Sequence, residues 1–275
     1  MIIDGKKERD IILNKLKDRI EKNNLKIKLA IIEVGGYLAN LIYIKNKVKA
    51  CEKVGIQVLQ FNMDNNTTEE ELTNLVTKLN NDTTVTGIII QSPVPKHIDF
   101  SKCCNLIDAS KDVDGFTRDN IYNLYLNKTT ILPCTVKGII YLLDRYNIPI
   151  KGANVVIVGR GNIVGRPLAI ALLNRDATVT IAHSRTKNLQ NITKNADILI
   201  AAAGYAHLIT EDMVKDGATV IDVGVSRVND RVVGDVDYEN VSKRVKYITP
   251  NPGGVGPMTV AMILDNLVKM AERNK

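Results

Sequence analysis

Short apolar runs alternate with stretches of helical periodicity along most of this chain. Apolar runs of about four to eight residues favour buried strands, whereas apolar residues three and four positions apart favour amphipathic helices. The elements predicted in the first half are a helix at 6–22, a strand at Leu25–Gly35, a helix at 41–54, a strand at Ile56–Met63, a helix capped by Thr67 or Thr68, and a strand at Val85–Gln91. Two prolines in the SPVP segment that follows end the last of these strands.

The pattern restarts after a loop through Asp112–Phe116. The elements predicted there are a helix at 136–146, a strand, glycine loop and helix over 153–175, strands at 177–183, 197–204, 218–225 and 247–251, and a helix at 259–273. Strands that alternate with helices predict parallel sheets with crossover helices. The simplest partition is two α/β domains, 1–134 and 135–256, with the C-terminal helix 257–275 packing back onto the first domain. A ligand bound at the strand ends is then expected in the cleft between the domains.

Charge and composition narrow the classes of protein that are compatible with this pattern. Apolar residues make up 45% of the chain and the net charge is +7. The lysines are scattered along polar helix faces and form no dense basic run with interleaved aromatic residues, so solvated surface charge is favoured over nucleic-acid binding. Part of the positive charge could instead attract an anionic substrate or cofactor.

Cysteine spacing and hydropathy point to the cytoplasm. The adjacent Cys103 and Cys104 lack the spacing of metal ligands, so the four cysteines are expected to be free thiols and no metal is predicted. No apolar stretch approaches the roughly 20 residues that span a bilayer, and the charged N-terminus lacks the apolar core of a secretory signal. We therefore expect a cytoplasmic protein with no membrane partner.

A glycine-rich turn in the second half is a candidate dinucleotide site. Gly159, Gly161 and Gly165 form a GxGxxxG pattern between an apolar strand and a helix. Glycine permits a tight turn and lets the backbone approach a pyrophosphate, while the helix N-terminus offers N–H groups and a positive dipole end to that anion. In this strand–helix context the pattern favours nucleotide binding over a turn that is glycine-rich only for packing.

The end of the next strand bears on which dinucleotide binds. NAD sites usually carry an Asp or Glu there, which accepts hydrogen bonds from the ribose hydroxyls, but this strand ends in His183-Ser184-Arg185-Thr186. Ser184, Arg185 and Arg160 are able to bind a 2′-phosphate, which an acid would repel. The sequence therefore favours NADP over NAD, although both arginines could also be ordinary surface residues.

Seven motifs occur in order over nearly the whole chain. They are YIKNKVKACEKVGI at Tyr43–Ile56, GIIIQSPVP at Gly87–Pro95, KDVDGF at Lys111–Phe116, PCT at Pro133–Thr135, VVIVGRGNIVGRP at Val155–Pro167, HSRT at His183–Thr186 and ITPNPGGVGPMTVAMIL at Ile248–Leu264. Together they resemble the bifunctional methylenetetrahydrofolate dehydrogenase/methenyltetrahydrofolate cyclohydrolase family (FolD type). The resemblance implies a folate-binding catalytic first domain and a Rossmann-type, NADP-binding second domain.

The resemblance also implies a role for particular residues. Lys47 matches the family's catalytic lysine, Tyr43 matches the tyrosine that stacks along the aminobenzoyl ring of folate, and Gln91 matches the glutamine that hydrogen-bonds the lysine. Asp114 matches the aspartate that holds the pterin. The other residues expected to bind folate are Ile90, Ser92, Pro252, Gly253, Gly254, Val255, Gly256 and Pro257. The residues expected to contact the cofactor are Thr135, Gly159, Arg160, Gly161, Ile163, Gly165, Ser184, Arg185 and Val225.

The implied chemistry has two steps. The family oxidises 5,10-methylenetetrahydrofolate to the methenyl compound with NADP, then hydrolyses it to 10-formyltetrahydrofolate, and it is typically homodimeric. A lysine exchanges protons near neutral pH only where burial or nearby positive charge lowers its pKa, and Lys45 and Lys49 could supply such charge. A carboxylate such as Asp114 suits the guanidine-like edge of a reduced pterin, because it can accept paired hydrogen bonds.

Four positions depart from the family pattern. Asn40 replaces a serine near Tyr43, and Val136 replaces a proline after the PCT motif. Gly161 replaces the serine of the glycine turn, which removes one hydroxyl contact to the cofactor. Asn251 replaces a valine before PGGVG.

Three other kinds of protein are compatible with part of this pattern. A monofunctional dehydrogenase would lack efficient cyclohydrolase activity. Another NADP-linked α/β dehydrogenase, such as one resembling shikimate dehydrogenase, would not need the DVDG or PGGVGPMT motifs. A non-catalytic nucleotide- or RNA-binding protein would retain RNA in a salt-dependent manner without turnover.

Overall fold

The structure is a computed structural model that describes residues 1–128, 131–229 and 231–273. Contacts divide the chain into two compact units, each with its own parallel sheet, so the predicted two-domain α/β class is confirmed. The three-stranded unit comprises Asp10–Asn123, Thr129–Cys134 and Val260–Lys275. The five-stranded unit comprises Met1–Arg9, Leu124–Lys128 and Thr135–Thr259. No helix within the described residues is long and apolar enough to cross a membrane.

The sheet of the three-stranded unit is built from the first half of the chain. The elements of this half are α1 (Gly5–Lys22), β1 (Lys28–Val34), α2 (Leu38–Val54), β2 (Gln57–Met63), α3 (Glu69–Asn81), β3 (Gly87–Ile90), α4 (Phe100–Cys104) and α5 (Arg118–Tyr125). Strand β1 lies between β2 and β3 and is parallel to both. Six of its seven residues are buried, as expected of a central strand with both faces covered.

The sheet of the five-stranded unit is built from the second half. The elements of this half are α6 (Cys134–Arg145), β4 (Asn154–Val158), α7 (Gly165–Leu173), β5 (Thr178–Ala182), α8 (Leu189–Thr193), β6 (Ile198–Ala201), a 3-10 turn (Glu211–Met213), β7 (Thr219–Asp222), β8 (Ser226–Val228), β9 (Arg231–Val233), α9 (Tyr238–Val241), β10 (Tyr247–Ile248) and α10 (Val255–Arg273). The parallel strands stand in the order β10-β7-β6-β4-β5, and β8 and β9 form a separate antiparallel hairpin.

Local capping explains why some helix boundaries could be predicted. Thr68 caps α3 by accepting a hydrogen bond from the Glu71 backbone N–H, and the Glu71 side chain accepts one from the Thr68 backbone N–H. This capping box decides between the two predicted caps. Helix α2, by contrast, begins at Leu38 rather than 41, and its cap residue Tyr37 makes no capping hydrogen bond through its side chain. Glu33, at the end of β1, accepts hydrogen bonds from the backbone N–H groups of Gly36 and Tyr37 instead.

Several elements differ from their predicted form. Helix α10 starts at Val255, four residues before the predicted start, while β10 covers only two residues of the predicted strand 247–251. Helices α4 and α5 and the β8–β9 hairpin were not predicted. Residues Met1–Arg9 group with the five-stranded unit, because the backbone N–H of Ile3 donates to the carbonyl of Ile248 (2.8 Å). The functional domain ranges remain a prediction, and residues 274 and 275 of the predicted terminal helix lie outside the described residues.

Candidate active site

A buried lysine and a strand-end glutamine form the centre of the candidate site in the three-stranded unit. Lys47 lies on α2 with 7% of its surface exposed, and its Nζ donates to Oε1 of Gln91 at 2.8 Å. Gln91 directly follows β3, and its Nε2 donates to the backbone carbonyl of Ser92 at 2.9 Å. The amide is therefore held at both ends. A neutral amide orients the lysine without introducing a compensating negative charge.

Tyr43 lies one helical turn before Lys47 on α2. Because residues four positions apart share a helix face, the two side chains project on the same side. Tyr43 is 42% exposed, so its ring is accessible to a ligand while Lys47 is packed beneath the surface. Neighbouring Lys45 and Lys49 are both exposed.

Asp112 shapes the turn that carries Asp114. Its buried carboxylate accepts hydrogen bonds from the backbone N–H groups of Gly115 (2.9 Å) and Thr117 (2.8 Å) and from Nδ2 of Asn120 (2.8 Å). Gly115 has a φ of +72°, which favours glycine, and a Cβ there would lie 3.0 Å from a backbone nitrogen. Asp112 lies in the KDVDGF motif, but the sequence did not predict it as a site residue.

Helix α10 holds the same turn from the other side. Nδ2 of Asn266, a fully buried residue, donates to the backbone carbonyls of Val113 (2.9 Å) and Leu132 (3.1 Å). This contact joins the DVDG motif to the end of the chain. No sequence pattern indicated it, since the paired residues are 153 positions apart.

The Asp114 carboxyl is electrostatically coupled to Lys47. Burial raises the pKa of Asp114, and the positive charge of Lys47 opposes that rise. Its neighbour Asp112 contributes a smaller upward effect. A partly buried carboxyl of this kind can bind a donor-rich ligand edge, because such a ligand replaces the lost water and stabilises the charged form.

Asn40 connects three elements next to the lysine–glutamine pair. It is fully buried, and its Nδ2 donates to Oε1 of Glu33 (3.3 Å) and to the carbonyl of Pro93 (2.9 Å). The bonds join α2 to the ends of β1 and β3. Its Oδ1 has no hydrogen-bond partner among the described residues. The sequence marked Asn40 as a departure from the family's serine but gave no structural role for it.

The glycine turn after β4 has the close approaches expected of a dinucleotide site. Gly159 has a φ of +125°, and a Cβ there would lie 2.1 Å from the carbonyl oxygen of Ala202. A Cβ at Gly165 would lie 2.1 Å from the carbonyl oxygen of Gly159. Gly161, in contrast, faces open space. The first and last glycines are therefore required by packing, while the middle one leaves room for a ligand.

Polar and cationic groups surround this turn in the five-stranded unit. Helix α7 begins at Gly165 without a side-chain cap, so its first N–H groups are suited to an anion. Arg160, Ile163, Ser184 and Arg185 are all exposed. The segment after β5 is fixed by a hydrogen bond from the His183 N–H to Oγ1 of Thr186 (2.8 Å) and one from the Arg185 N–H to Nδ1 of His183 (3.1 Å).

The PGGVGP loop also belongs to the five-stranded unit. A Cβ at Gly5 would lie 1.7 Å from the carbonyl oxygen of Gly254, and the Lys6 N–H donates to the Gly253 carbonyl at 3.1 Å. The start of the chain therefore packs against this loop. Sequence reasoning missed Gly5, whose contact partner is almost 250 positions away.

Comparison with known proteins identifies the family. Residues 3–114 match the model of the tetrahydrofolate dehydrogenase/cyclohydrolase catalytic domain, and residues 133–275 match the model of the NAD(P)-binding domain of the same family. The chain belongs to the tetrahydrofolate dehydrogenase/cyclohydrolase family. The motif resemblance found in the sequence is thereby confirmed.

Individual relatives agree with this assignment over their full lengths. The chain is 47% identical to a bifunctional protein FolD from Agathobacter rectalis, over 99% of both chains. Its fold matches the bifunctional FolD of Campylobacter jejuni with a TM-score of 0.98, at 45% identity and over 100% of this chain and 99% of that one. It also matches the FolD of Trypanosoma brucei, solved with NADP and an inhibitor, with a TM-score of 0.95, at 35% identity and over 100% and 98% of the two chains.

Some predicted site residues have restricted access to any ligand in this family member. Ile90 and Val255 are only 3% and 4% exposed, so neither offers a freely accessible surface to a ligand. Oγ1 of Thr135 lies 3.1 Å from Oγ1 of Thr259 and is partly occupied by that contact. Val225, which follows β7, is 55% exposed and accessible to a ligand.

Two buried aspartates were missed entirely. Asp235 accepts hydrogen bonds from the backbone N–H groups of Ala203, Gly204 and Tyr205, which follow β6. Asp222, the last residue of β7, accepts hydrogen bonds from the backbone N–H groups of Gly224, Asp235 and Val236. Burial raises the pKa of Asp222 to about 6. Only the three-dimensional structure reveals these roles, because each bonded segment except Gly224 is more than ten positions away in the sequence.

Proposed function

We propose that this chain oxidises 5,10-methylenetetrahydrofolate with NADP and hydrolyses the resulting 5,10-methenyltetrahydrofolate to 10-formyltetrahydrofolate. The observation that carries the proposal is the buried Lys47–Gln91 hydrogen bond beside the coupled carboxyl of Asp114. Family membership supports both activities, since the catalytic and NAD(P)-binding family models together match most of the chain.

Asp114 and Tyr43 are proposed to orient the reduced folate. The Asp114 carboxylate accepts paired hydrogen bonds from the guanidine-like edge of the pterin, and these bonds favour its charged form. The accessible ring of Tyr43 stacks on the aminobenzoyl ring, while Lys47 on the same helix face reaches the one-carbon bridge between them. Orientation of this kind supplies much of the catalysis in a hydride transfer.

NADP is proposed to bind at the Gly159–Gly165 turn. The pyrophosphate accepts hydrogen bonds at the N-terminus of α7, and Arg160, Ser184 and Arg185 contact the 2′-phosphate. The bound dinucleotide would supply the hydride-accepting chemistry that converts the methylene group of the folate to a methenyl cation.

Lys47 is proposed to accept and donate protons during the hydrolysis. A water oxygen adds to the methenyl carbon and loses one proton, which leaves a hydroxyl on that carbon. The bond from the carbon to N5 then breaks as N5 takes up a proton and the hydroxyl loses its own, so that one proton is released overall. The remaining one-carbon unit is a formyl group on N10. Gln91 acts as a positioning residue, because its Oε1 fixes Nζ while its own Nε2 is held by Ser92.

The family resemblance further supports a homodimer of this chain. Light scattering during gel filtration would give the mass in solution directly. A mass near twice 30.4 kDa is expected, and a mass near 30.4 kDa would contradict it.

A coupled turnover assay tests both activities. Purified protein receives methylenetetrahydrofolate with either NADP or NAD, and absorbance follows the reduced nicotinamide and the methenyl compound separately. Lys47→Met is expected to keep cofactor reduction but to accumulate the methenyl compound. Lys45→Met, a change of an exposed lysine on the same helix, is the matched control and should behave as wild type.

The alternatives give different results in this assay. Accumulation of the methenyl compound by the wild-type protein would favour a monofunctional dehydrogenase. Equal rates with NAD and NADP would contradict the 2′-phosphate contacts. No reduction of either cofactor, together with salt-dependent retention of RNA, would overturn the enzyme assignment.

A further inference from the structure

Two loops with separate proposed roles are joined by one side chain in the five-stranded unit. Asn251 immediately precedes the PGGVGP loop, which is proposed to bind folate. Its Nδ2 donates to the backbone carbonyl of Gly224, next to the proposed cofactor contact Val225. The same amide also interacts with the carboxylate of Asp222.

The neighbouring groups are packed too closely to move independently. A Cβ at Gly234 would lie 1.8 Å from Oδ2 of Asp222 and 2.7 Å from Nδ2 of Asn251. A Cβ at Gly224 would lie 2.0 Å from Oδ1 of Asp235. Segments this tightly packed respond to a displacement together, because interiors of native density have no free volume to absorb it.

The connection continues from Asn251 to the glycine turn of the dinucleotide site. Asp222 holds the N–H of Gly224 at 3.0 Å and that of Asp235 at 3.0 Å. Asp235 in turn holds the N–H of Ala203 at 2.6 Å, and the Ala202 carbonyl lies against Gly159. These loops follow β10, β7, β6 and β4, which are adjacent in the sheet, so the contacts run along one edge.

We propose that Asn251 is a positioning residue that couples the binding of NADP to the binding of reduced folate. The inference rests on the proposed function of the two loops. Valine, which the family resemblance places at this position, has no side-chain N–H group to donate and so cannot make the link. Coupling through Asn251 is therefore a property of this chain rather than of every family member.

The coupling can be measured without turnover. Calorimetry would give the Kd of NADP alone and in the presence of saturating 5-formyltetrahydrofolate, a reduced folate with no methylene bridge to oxidise. In the wild-type protein the folate is expected to change the Kd of NADP at least about 5-fold, the lower end of typical coupling between two sites. In Asn251→Val the change should fall below about 2-fold.

Controls separate the inference from the function on which it rests. Asn195→Val removes an amide that donates to the Asn191 carbonyl at 2.7 Å near the opposite end of the sheet, and should leave the coupling intact. Asn251→Leu offers a second apolar variant, and circular dichroism checks that each variant is folded. A structural defect alone would weaken both binary affinities but leave their ratio unchanged.

The outcomes are distinguishable. Failure of the wild-type protein to bind either ligand would overturn the proposed function itself. Binding of both ligands with no coupling, or with coupling that survives in both Asn251 variants, would overturn the role of Asn251 alone.

Discussion

Lys111, the first residue of the KDVDGF motif, provides a direct test of how the site is supported. Its Nζ donates to the carbonyls of Leu79 (3.0 Å), Asn80 (2.7 Å) and Asp82 (2.7 Å), which terminate α3. Burial lowers the pKa of Lys111, because the charged amine loses hydration. This desolvation offsets part of the stability that the three hydrogen bonds provide. The substitution Lys111→Met keeps most of the apolar stem and removes all three hydrogen bonds.

The expected loss of stability follows from these contacts. Hydrogen bonds to a charged group contribute roughly 1.5–3 kcal/mol each, and a cation at a helix C-terminus adds roughly 0.3–1 kcal/mol. The three bonds share one charge and its desolvation, so their sum is far from additive. We expect the free energy of unfolding to fall by about 3 kcal/mol, which shifts the urea midpoint by about 1 M for a slope of about 3 kcal/mol/M.

The measurement is urea unfolding followed by circular dichroism, with Lys78→Met as the control. Lys78 is an exposed lysine in the last turn of the same helix, so its replacement should cost under about 0.5 kcal/mol. The KM for folate should also rise in Lys111→Met, because the lost Nζ contacts fix the residue that begins the KDVDGF motif and its turn. A loss indistinguishable from that of the control would refute the reasoning.

Three further predictions concern charge and close packing. The charge of Lys47 lowers the pKa of Asp114, so Lys47→Met should raise that pKa. As the pH falls, folate binding measured by calorimetry should then be lost at a higher pH in Lys47→Met than in the wild-type protein. An unchanged pH midpoint of binding would argue against the electrostatic coupling of Lys47 and Asp114. The rise in the pKa of Asp222 from 3.8 to about 6 corresponds to about 3 kcal/mol of stability, which is fully present only below about pH 3.8 and is lost as the pH rises through about 6. Asp222→Asn should therefore flatten the dependence of unfolding free energy on pH between 7 and 4, and an unaltered slope would contradict this. Gly161→Ser should keep the fold and lower the Kd of NADP by about 2- to 10-fold through one added hydrogen bond. Gly165→Ser should instead weaken NADP binding or prevent folding, because a Cβ there meets the Gly159 carbonyl. Similar Kd values for the two variants in calorimetry would be inconsistent with this packing.

Local signals in the sequence predicted a large part of the fold. The capping residue Thr68 and the apolar runs of β1 and β4 act on neighbours a few positions away, so one stretch of sequence contains both partners. The glycine turn was predicted for the same reason, and the structure gives Gly159 and Gly165 a steric requirement. Lys47 and Gln91, which are 44 positions apart, were paired only through the resemblance to a family.

The support beneath the site could not be predicted, because its partners are distant in the chain. Helix α2 begins three residues early because Glu33 on β1 satisfies the N–H groups ahead of it. Asn266 reaches the DVDG turn from 153 positions away. The residue type alone does not predict a buried supporting role, since glutamate and asparagine are common on exposed surfaces.

Buried carboxylates account for most of the supporting contacts that the sequence did not predict. Glu33, Asp112, Asp222 and Asp235 are each no more than 3% exposed, and each accepts hydrogen bonds from two or more backbone N–H groups of a loop or turn. A buried charge is costly unless such bonds compensate it, so these carboxylates destabilise any loop conformation that withdraws its N–H groups. A single conformation of each loop is thereby selected, and the reacting groups are held in place before any ligand arrives. Replacement of one of these carboxylates should therefore impair binding even though none of the four was predicted to touch folate or NADP.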